Sequence, residues 1–339
     1  MPLANSTSVP LPLPEPLLVL AGPTAVGKSA AVAALAERRA LEVVVADSLQ
    51  VYRGLDVGTA TPGLAERARI RHHLVDIREA TEPFTAADFA ALAREAVADI
   101  AGRGHLPVVA GGTGLYIRAF LQGSLDGPGG DPELRRRLQA EADRRGAAAL
   151  HARLAAVDPV AAARIHPRNV VRVVRALELY HLAGSPPSTL RRWPAAAPPP
   201  GVLLVGLRRG GDDLARRIEA RVRGMLEGGL LEEVRALLTR GIPWHAKPLG
   251  AIGYREMVEH LEGRLGLAEA VRRMVCGTRR YAQRQMTWFR KEPGLVWIDL
   301  QPSTPAADVA EAILAHRASP PACAAGAQAA PAACIARGR

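Results

Sequence analysis

The stretch Leu17-Leu18-Val19-Leu20-Ala21-Gly22-Pro23-Thr24-Ala25-Val26-Gly27-Lys28-Ser29 decides the fold. Its first five residues are uninterrupted apolar and read as a short buried strand. Gly22 to Ser29 match the spacing GxxxxGK[ST], and residues 28–38 carry a helical pattern. Strand, glycine-rich loop and helix in that order form a phosphate-binding loop. Gly22 and Gly27 let the backbone curl, so that the N–H groups of Pro23-Thr24-Ala25-Val26 and their neighbours can turn toward phosphate oxygens, proline lacking one. The helix start adds partial positive charge. Lys28 brings a full charge, Thr24 a second polar group inside the loop, and Ser29 a hydroxyl suited to a magnesium ion.

Outward from the loop, 42–46 (EVVVA) and 106–110 (LPVVA) are further strand candidates, with helical patterns at about 28–38 and 85–103. This alternation predicts an α/β fold, a P-loop NTPase-like parallel sheet. Asp47 follows the second strand and therefore faces the ligand crevice at the strand ends. A carboxylate there can take a proton from an attacking nucleophile, or can simply cap the turn Asp47-Ser48-Leu49-Gln50. The strand at 106–110 runs into Gly111-Gly112-Thr113-Gly114, where an NTPase normally carries a magnesium-binding acid. A nucleoside triphosphate is the default occupant of such a loop. The glycines leave open a diphosphate on another carrier.

The pattern changes at 123–130 (GSLDGPGG), which reads as a linker. From Asp131 to Gly184 no strand candidate occurs, while Asp131-Pro132-Glu133 and Asp158-Pro159 have the form of helix starts. Gly146 and Gly184 suit helix ends. These features predict an all-helical insertion domain over 126–199. The core is expected to be discontinuous, 17–125 and 200–300, resuming with GVLLVGL (201–207) and closing with two long helices at 212–227 and 267–291 and a last strand at 295–299. Residues 1–16 (Pro- and Ser-rich) and 301–339 (Ala- and Pro-rich) are expected to be a disordered lead and tail.

Composition narrows the function classes. The chain has 339 residues, 48% hydrophobic and 23% charged, in the ordinary globular range. No run of about 18 apolar residues is present, so no membrane partner is expected. Three cysteines, none close-spaced, exclude a disulfide framework and a zinc ribbon. A reduced, cytoplasmic protein is the expectation. The net charge of +11 points to an anionic partner. Only three of the 44 basic residues are lysines, an arginine skew that makes the position of each basic residue more informative than the total.

Two placements stand out. In the helix at 212–227, Arg221 falls on the apolar stripe of Leu214, Ile218, Val222 and Met225. A charge on a buried face needs a partner; a bound anion is one, and an outward-reaching rotamer or a glutamate is the other. In the helix at 267–291, Arg272, Arg273, Arg279, Arg280, Arg284, Arg290 and Lys291 share an arc of about 140°, a face read as almost purely positive. Arg168, Arg172 and Arg175 form a smaller stripe in the insertion. Two basic helices in different lobes suit a folded RNA.

GPTAVGKS (22–29), ADSLQVYRGLDVGTATP (46–62), HHLVDI (72–77), GGTGLYIRA (111–119), DPVAAARIHPRN (158–169), RALE (175–178), GAIGYRE (250–256) and TRRYAQRQMTWFRK (278–291) occur together and in order. In these segments the sequence resembles the tRNA dimethylallyltransferase family, also called tRNA isopentenyltransferase, of the bacterial type. The resemblance implies transfer of a dimethylallyl group from dimethylallyl diphosphate to the N6 amine of the adenine beside the tRNA anticodon, with Mg²⁺ as cofactor and a tRNA anticodon stem-loop as partner. It implies Asp47 as general base, Thr24 and Ser29 as phosphate and metal hydroxyls, and Arg221 on the leaving group. On the tRNA side it implies Ser48, Leu49, Gln50 and Thr113 beside the base, with Arg135, Arg172, Arg175, Gly250, Tyr254, Arg255, Arg280, Arg284 and Arg290 on the nucleic acid. A monomer is the family's usual state. Two other readings compete: a P-loop kinase acting on a small metabolite, and a non-catalytic RNA-binding module that would leave the phosphate loop without a purpose.

Overall fold

A computed structural model describes residues 13–123, 129–190, 193 and 196–318. The chain opens with β1 (Leu17–Ala21), α1 (Lys28–Ala36), β2 (Leu41–Ala46), α2 (Leu64–Arg69), β3 (His72–His73), α3 (Ala86–Gly102), β4 (Leu106–Gly111) and α4 (Gly114–Gln122). Four helices follow, α5 (Pro132–Arg145), α6 (Ala147–Val157), α7 (Pro159–Arg164) and α8 (Val170–Ala183). The chain then returns through β5 (Val202–Arg209), α9 (Gly211–Glu227), α10 (Leu230–Thr239), α11 (Tyr254–Leu261), α12 (Leu267–Phe289), β6 (Val296–Leu300) and α13 (Ala306–Ala318).

The six strands form one parallel sheet in the order β3-β2-β4-β1-β5-β6. Both faces are covered, which is why β1 and β2 are apolar at almost every position rather than alternating. Leu17, Val19 and Ala21 pack with the helices α3, α4 and α9–α12. Leu18 and Leu20 face the other way, onto α1 and α13. Parallel strands all end on the same edge, so the loops after β1, β2 and β4 meet there, with β4 between the other two.

The four helices α5–α8 hold a separate apolar cluster built on Leu138, Leu150, Leu154, Val173 and Leu177. Their starts use the devices readable in the sequence. Asp131 Oδ1 accepts from the N–H groups of Glu133 (2.9 Å) and Leu134 (3.0 Å), and Asp158 Oδ1 from that of Ala161 (2.8 Å). The second oxygen of Asp158, which is almost wholly buried, accepts from Ser188 N–H (2.7 Å) and ties the end of the helical segment back onto its middle.

The expectation that 301–339 lacks structure is corrected for its first part. Residues 306–318 form α13, which buries Val309, Ala310 and Ile313 against α1. The alanine-rich composition that resembled a low-complexity tail is here a close-packing helix surface, since alanine has the highest helix propensity. The lead is corrected at its end too: Leu13 packs, partly buried, against the core. Residues 1–12 and 319–339 lie outside the described residues.

Replacing Ile313 with Ala is expected to destabilise the protein by about 2–5 kcal/mol, the usual cost of emptying a buried isoleucine site. Chemical denaturation measures it. An unchanged midpoint would mean that the segment after Leu300 is not part of the folded core.

Candidate active site

The loop between β1 and α1 owes its shape to cations outside it. Lys28 Nζ donates to the carbonyls of Gly22 (2.8 Å) and Pro23 (2.9 Å). Arg217 Nε donates to the carbonyl of Ala25 (2.9 Å) and Arg209 Nε to that of Val26 (2.8 Å). Arg209 is in turn fixed by Asp213 (2.9 Å). With four carbonyls turned away and held, the amides at the start of α1, which have no intrahelical acceptor, are left for a ligand. Ala25 adopts a left-handed conformation (φ 63°) and Gly27 another (φ 114°). Only the second is free of steric cost, so the loop carries a strained residue at its tip.

A cavity of about 480 Å³ opens over the loop, lined by residues 24–29, Asp47, Gln50, Gly111, Gly112, Arg217, Arg221, Tyr281 and Gln285 among others. Asp47 is brought there by the end of β2. Its Oδ1 accepts from the N–H groups of Leu49 (2.9 Å) and Gln50 (3.4 Å), so it does hold its own turn. Its other oxygen accepts no hydrogen bond from any described residue and is available to a ligand. One carboxylate thus holds its turn with one oxygen and leaves the other open at the cavity.

Between the loop and Asp47 stands the end of β4. A Cβ on Gly111 would lie 2.1 Å from the carbonyl oxygen of Ala46, so no side chain, acidic or otherwise, fits there. At Gly112 the space is taken rather than left open: a Cβ would meet Gln285 Nε2 at 2.3 Å. Gln285, nearly fully buried on α12, donates to Gly112 O (2.9 Å) and accepts from Thr24 N–H (2.9 Å). It bridges the phosphate loop to the turn after β4. Thr113 sits beside this bridge but does not line the cavity, and neither do Ser48 and Leu49.

Charge in the cavity is strongly perturbed. Burial, reinforced by the nearby Arg221 guanidinium, lowers the Lys28 ammonium from 10.5 to about 7, with Asp47 opposing the shift. Burial also lowers Arg221, again against Asp47. Burial and the Asp47 charge push the Tyr281 phenol up to about 12, so it remains a donor at neutral pH. Arg221 makes no ion pair among the described residues; its Nη2 donates to the carbonyl of Thr59 (2.9 Å). Of the two partners open to Arg221 in the sequence, no glutamate occupies the position, and the guanidinium faces the cavity.

The nucleic-acid side needs corrections. Tyr254 is wholly buried, and its hydroxyl donates to Glu233 (2.7 Å), so its side chain cannot touch a surface partner. Arg135 and Arg175 both pair with the buried Glu178, at 2.8 and 2.5 Å, and Arg255 with the buried Glu256 (2.5 Å), yet 48%, 40% and 54% of their side chains stay exposed, so pairing does not withdraw them from a nucleic-acid partner. The stripe on α12 is not purely positive. Arg272 and Arg273 pair with Glu269 one turn away, and Arg279 pairs with Glu219 of α9. Glu269, in the first turn of α12 itself, and Glu219, on a neighbouring helix that a projection of α12 does not show, interleave with the arginines. Arg280, Arg284, Arg290 and Lys291 remain exposed without an acidic partner among the described residues, as do Arg168 and Arg172. Gly250 is also exposed. Gln285, Tyr281, Arg209 and Arg217 were not singled out by sequence reasoning. A polar or charged residue on the packed side of a helix, as Gln285 is on α12, was the available signal.

Residues 50–292 match the family model described as IPP transferase. The chain is 55% identical over 293 residues to a tRNA dimethylallyltransferase of Anaeromyxobacter dehalogenans, covering 83% of this chain and 94% of the relative. It is 50% identical to that of Geobacter metallireducens, covering 84% and 92%. Among solved structures, the full-length tRNA isopentenylpyrophosphate transferase of Bacillus halodurans superposes with a TM-score of 0.65 at 39% identity, covering 90% of this chain and 97% of that one. A eukaryotic dimethylallyltransferase acting on tRNA superposes with a TM-score of 0.73 at 28% identity, covering 90% and 80%.

An anion in the cavity restores the charged form of Lys28. At pH 8 the empty site holds this lysine mostly neutral, one unit above its pKa, whereas at pH 6 it is already protonated. Pyrophosphate itself titrates in this range, so the lysine is read as the difference from a Lys28→Met protein: the unmodified protein is expected to take up close to one more proton than Lys28→Met at pH 8 and about the same number at pH 6, as read by calorimetry in buffers of different ionisation enthalpy. Equal uptake by the two proteins at pH 8 would contradict the assignment.

Proposed function

The chain belongs to the IPP transferase family, and from that premise we propose that it transfers a dimethylallyl group from dimethylallyl diphosphate to the N6 amine of the adenine on the 3′ side of a tRNA anticodon. The products are diphosphate and N6-isopentenyladenosine. The observation that carries this reading is the meeting of an anion cradle and an available carboxylate in one cavity, with no acid at the end of the strand between them.

The chemistry follows from the charges. The exocyclic amine of adenine is a weak nucleophile, because its lone pair is delocalised into the ring. The allylic carbon compensates if its bond to the bridging oxygen breaks readily, which requires the departing diphosphate to be neutralised. Lys28, the amides at the start of α1 and Arg221 supply that neutralisation. As the new carbon–nitrogen bond forms at N6, the free oxygen of Asp47 accepts the amine proton. Val32, Val43, Val45 and Ala110 give the cavity an apolar wall for the five-carbon chain.

Magnesium fits the donors in a limited way. Among the described residues no cluster of three His, Cys, Asp or Glu side chains is present. Ser29 would supply one hydroxyl, Asp47 a contact through water, and the diphosphate most of the remaining ligands, the usual pattern for this ion. When bound it adds positive charge on the leaving group.

For the nucleic acid, Arg280 and Arg284 on α12, Arg290 just after it and Arg172 on α8 are exposed cations that bind tRNA phosphates, and the partly exposed Arg135, Arg175 and Arg255 add to them. By its likeness to tRNA-modifying relatives, the chain is proposed to act in the cytoplasm, and as a monomer. Among the described residues no helix is long and apolar enough to cross a membrane.

Incubation with dimethylallyl diphosphate and an anticodon stem-loop is expected to add one C5H8 unit to the RNA without consuming a nucleotide. Turnover of ATP on a metabolite, with no change to the RNA, would refute the proposal in favour of a kinase. Asp47→Ala is expected to lose turnover by about two to four orders of magnitude, the range for a general base, with tRNA affinity near normal; unchanged turnover would remove Asp47 from the reaction. Arg280→Ala is expected to weaken tRNA binding and to reduce the slope of log K against log salt by about one. An unchanged slope would mean that this arginine meets no phosphate.

A further inference from the structure

Glu233, on α10, does not line the cavity, yet it is among the most heavily bonded carboxylates of the chain. Its Oε2 accepts from the N–H groups of Asp56 (2.8 Å) and Val57 (2.6 Å), and its Oε1 from Gly58 N–H (3.1 Å) and the Tyr254 hydroxyl (2.7 Å). Three consecutive amides can converge on one anion only if the backbone curls around it. Gly58 permits the fit, since a Cβ there would stand 2.6–2.7 Å from the Tyr254 ring. Burial and the Glu233 charge push the Tyr254 phenol upward, which keeps it a donor.

The next residue along the chain is Thr59. Its carbonyl accepts from Arg221 Nη2 (2.9 Å) and from Gln50 Nε2 (3.1 Å). Its hydroxyl is tied to the carbonyl of Leu55 (2.5 Å) and to Thr61 Oγ1 (2.6 Å), so Thr59 moves with the curl and not independently of it. A continuous path of hydrogen bonds and one peptide unit thus joins Glu233 to the guanidinium that faces the diphosphate site.

We propose that Glu233 and Tyr254 are a positioning pair, which pins residues 56–59 so that the carbonyl of Thr59 holds Arg221 against the departing diphosphate. The pair touches no substrate itself. The inference rests on the reading of the cavity as a diphosphate site, but its test does not require prenyl transfer. It assigns a role to the tyrosine of GAIGYRE (250–256) different from contact with RNA.

The test is a double-mutant cycle on pyrophosphate affinity, measured by calorimetry on the full chain. Tyr254→Phe removes one hydrogen bond to a charged acceptor, and Glu233→Gln replaces the anion that holds the amides. Each is expected to weaken pyrophosphate binding about tenfold or more, while stem-loop affinity stays close to that of the parent; the lost buried hydrogen bond also lowers the melting temperature, so binding is measured well below it. Combined with Arg221→Ala, either substitution should cause almost no further loss, because its effect runs through that arginine. A purely structural role would give a loss that adds to Arg221→Ala. Additivity, or unchanged pyrophosphate affinity in Tyr254→Phe, overturns the proposal. If Glu233→Gln fails to fold, the Tyr254→Phe cycle decides alone. Should the unmodified protein bind pyrophosphate but transfer no prenyl group, the catalytic reading fails while the positioning pair still stands or falls on the cycle.

Discussion

A loop can offer its amide hydrogens to a phosphate only if its carbonyl oxygens are satisfied on the other side. Here that condition is met by charge. Lys28, Arg209 and Arg217 hold the carbonyls of Gly22, Pro23, Ala25 and Val26, and Gln285 takes the amide of Thr24. These partners come from α1, β5, α9 and α12, so the cradle exists only after the whole core has assembled. The sheet order makes this economical. β1 lies between β4 and β5, which puts the arginine at the end of β5 within reach of the loop and leaves the end of β4 between the loop and Asp47.

Crowding at that strand end explains its glycines. Gly111 is pressed against the backbone of β2, and Gly112 yields its side-chain volume to Gln285. The carboxylate that an NTPase would carry at this place is excluded by contact, and the space goes to an amide that fixes the phosphate loop. In the proposed reaction the catalytic burden falls on Asp47, at the end of the neighbouring strand, and on the cavity cations Lys28 and Arg221.

Much of this was legible in the chain. The loop, its flanking strand and helix, the position of Asp47 and the inward Arg221 follow from short-range pattern, because spacing and periodicity are local. What escaped is long-range. Gln285 meets Thr24 across 261 residues of sequence, and Glu233 meets Val57 across 176. Nothing local marks such a residue except a polar side chain on a packed face. Tyr254 was misassigned for the same reason: a motif names the residue but not the direction in which it points. The positive face of α12 is smaller than its arginine content, because Glu269 pairs with Arg272 and Arg273 within the helix, and Glu259 and Glu219 reach Arg273 and Arg279 from other helices, which is long-range. The last helix was hidden by alanine, which a composition argument reads as low complexity and a packing argument reads as close approach.

In the proposed reaction the cradle holds a diphosphate carried on an apolar chain rather than a nucleoside triphosphate. Competitive binding decides between the two, with dimethylallyl diphosphate and ATP titrated separately against the same site in the presence of magnesium and then against each other. Dimethylallyl diphosphate is expected to bind, pyrophosphate to displace it, and ATP to compete only weakly. Tight ATP binding that excludes the prenyl donor would overturn the assignment of the site.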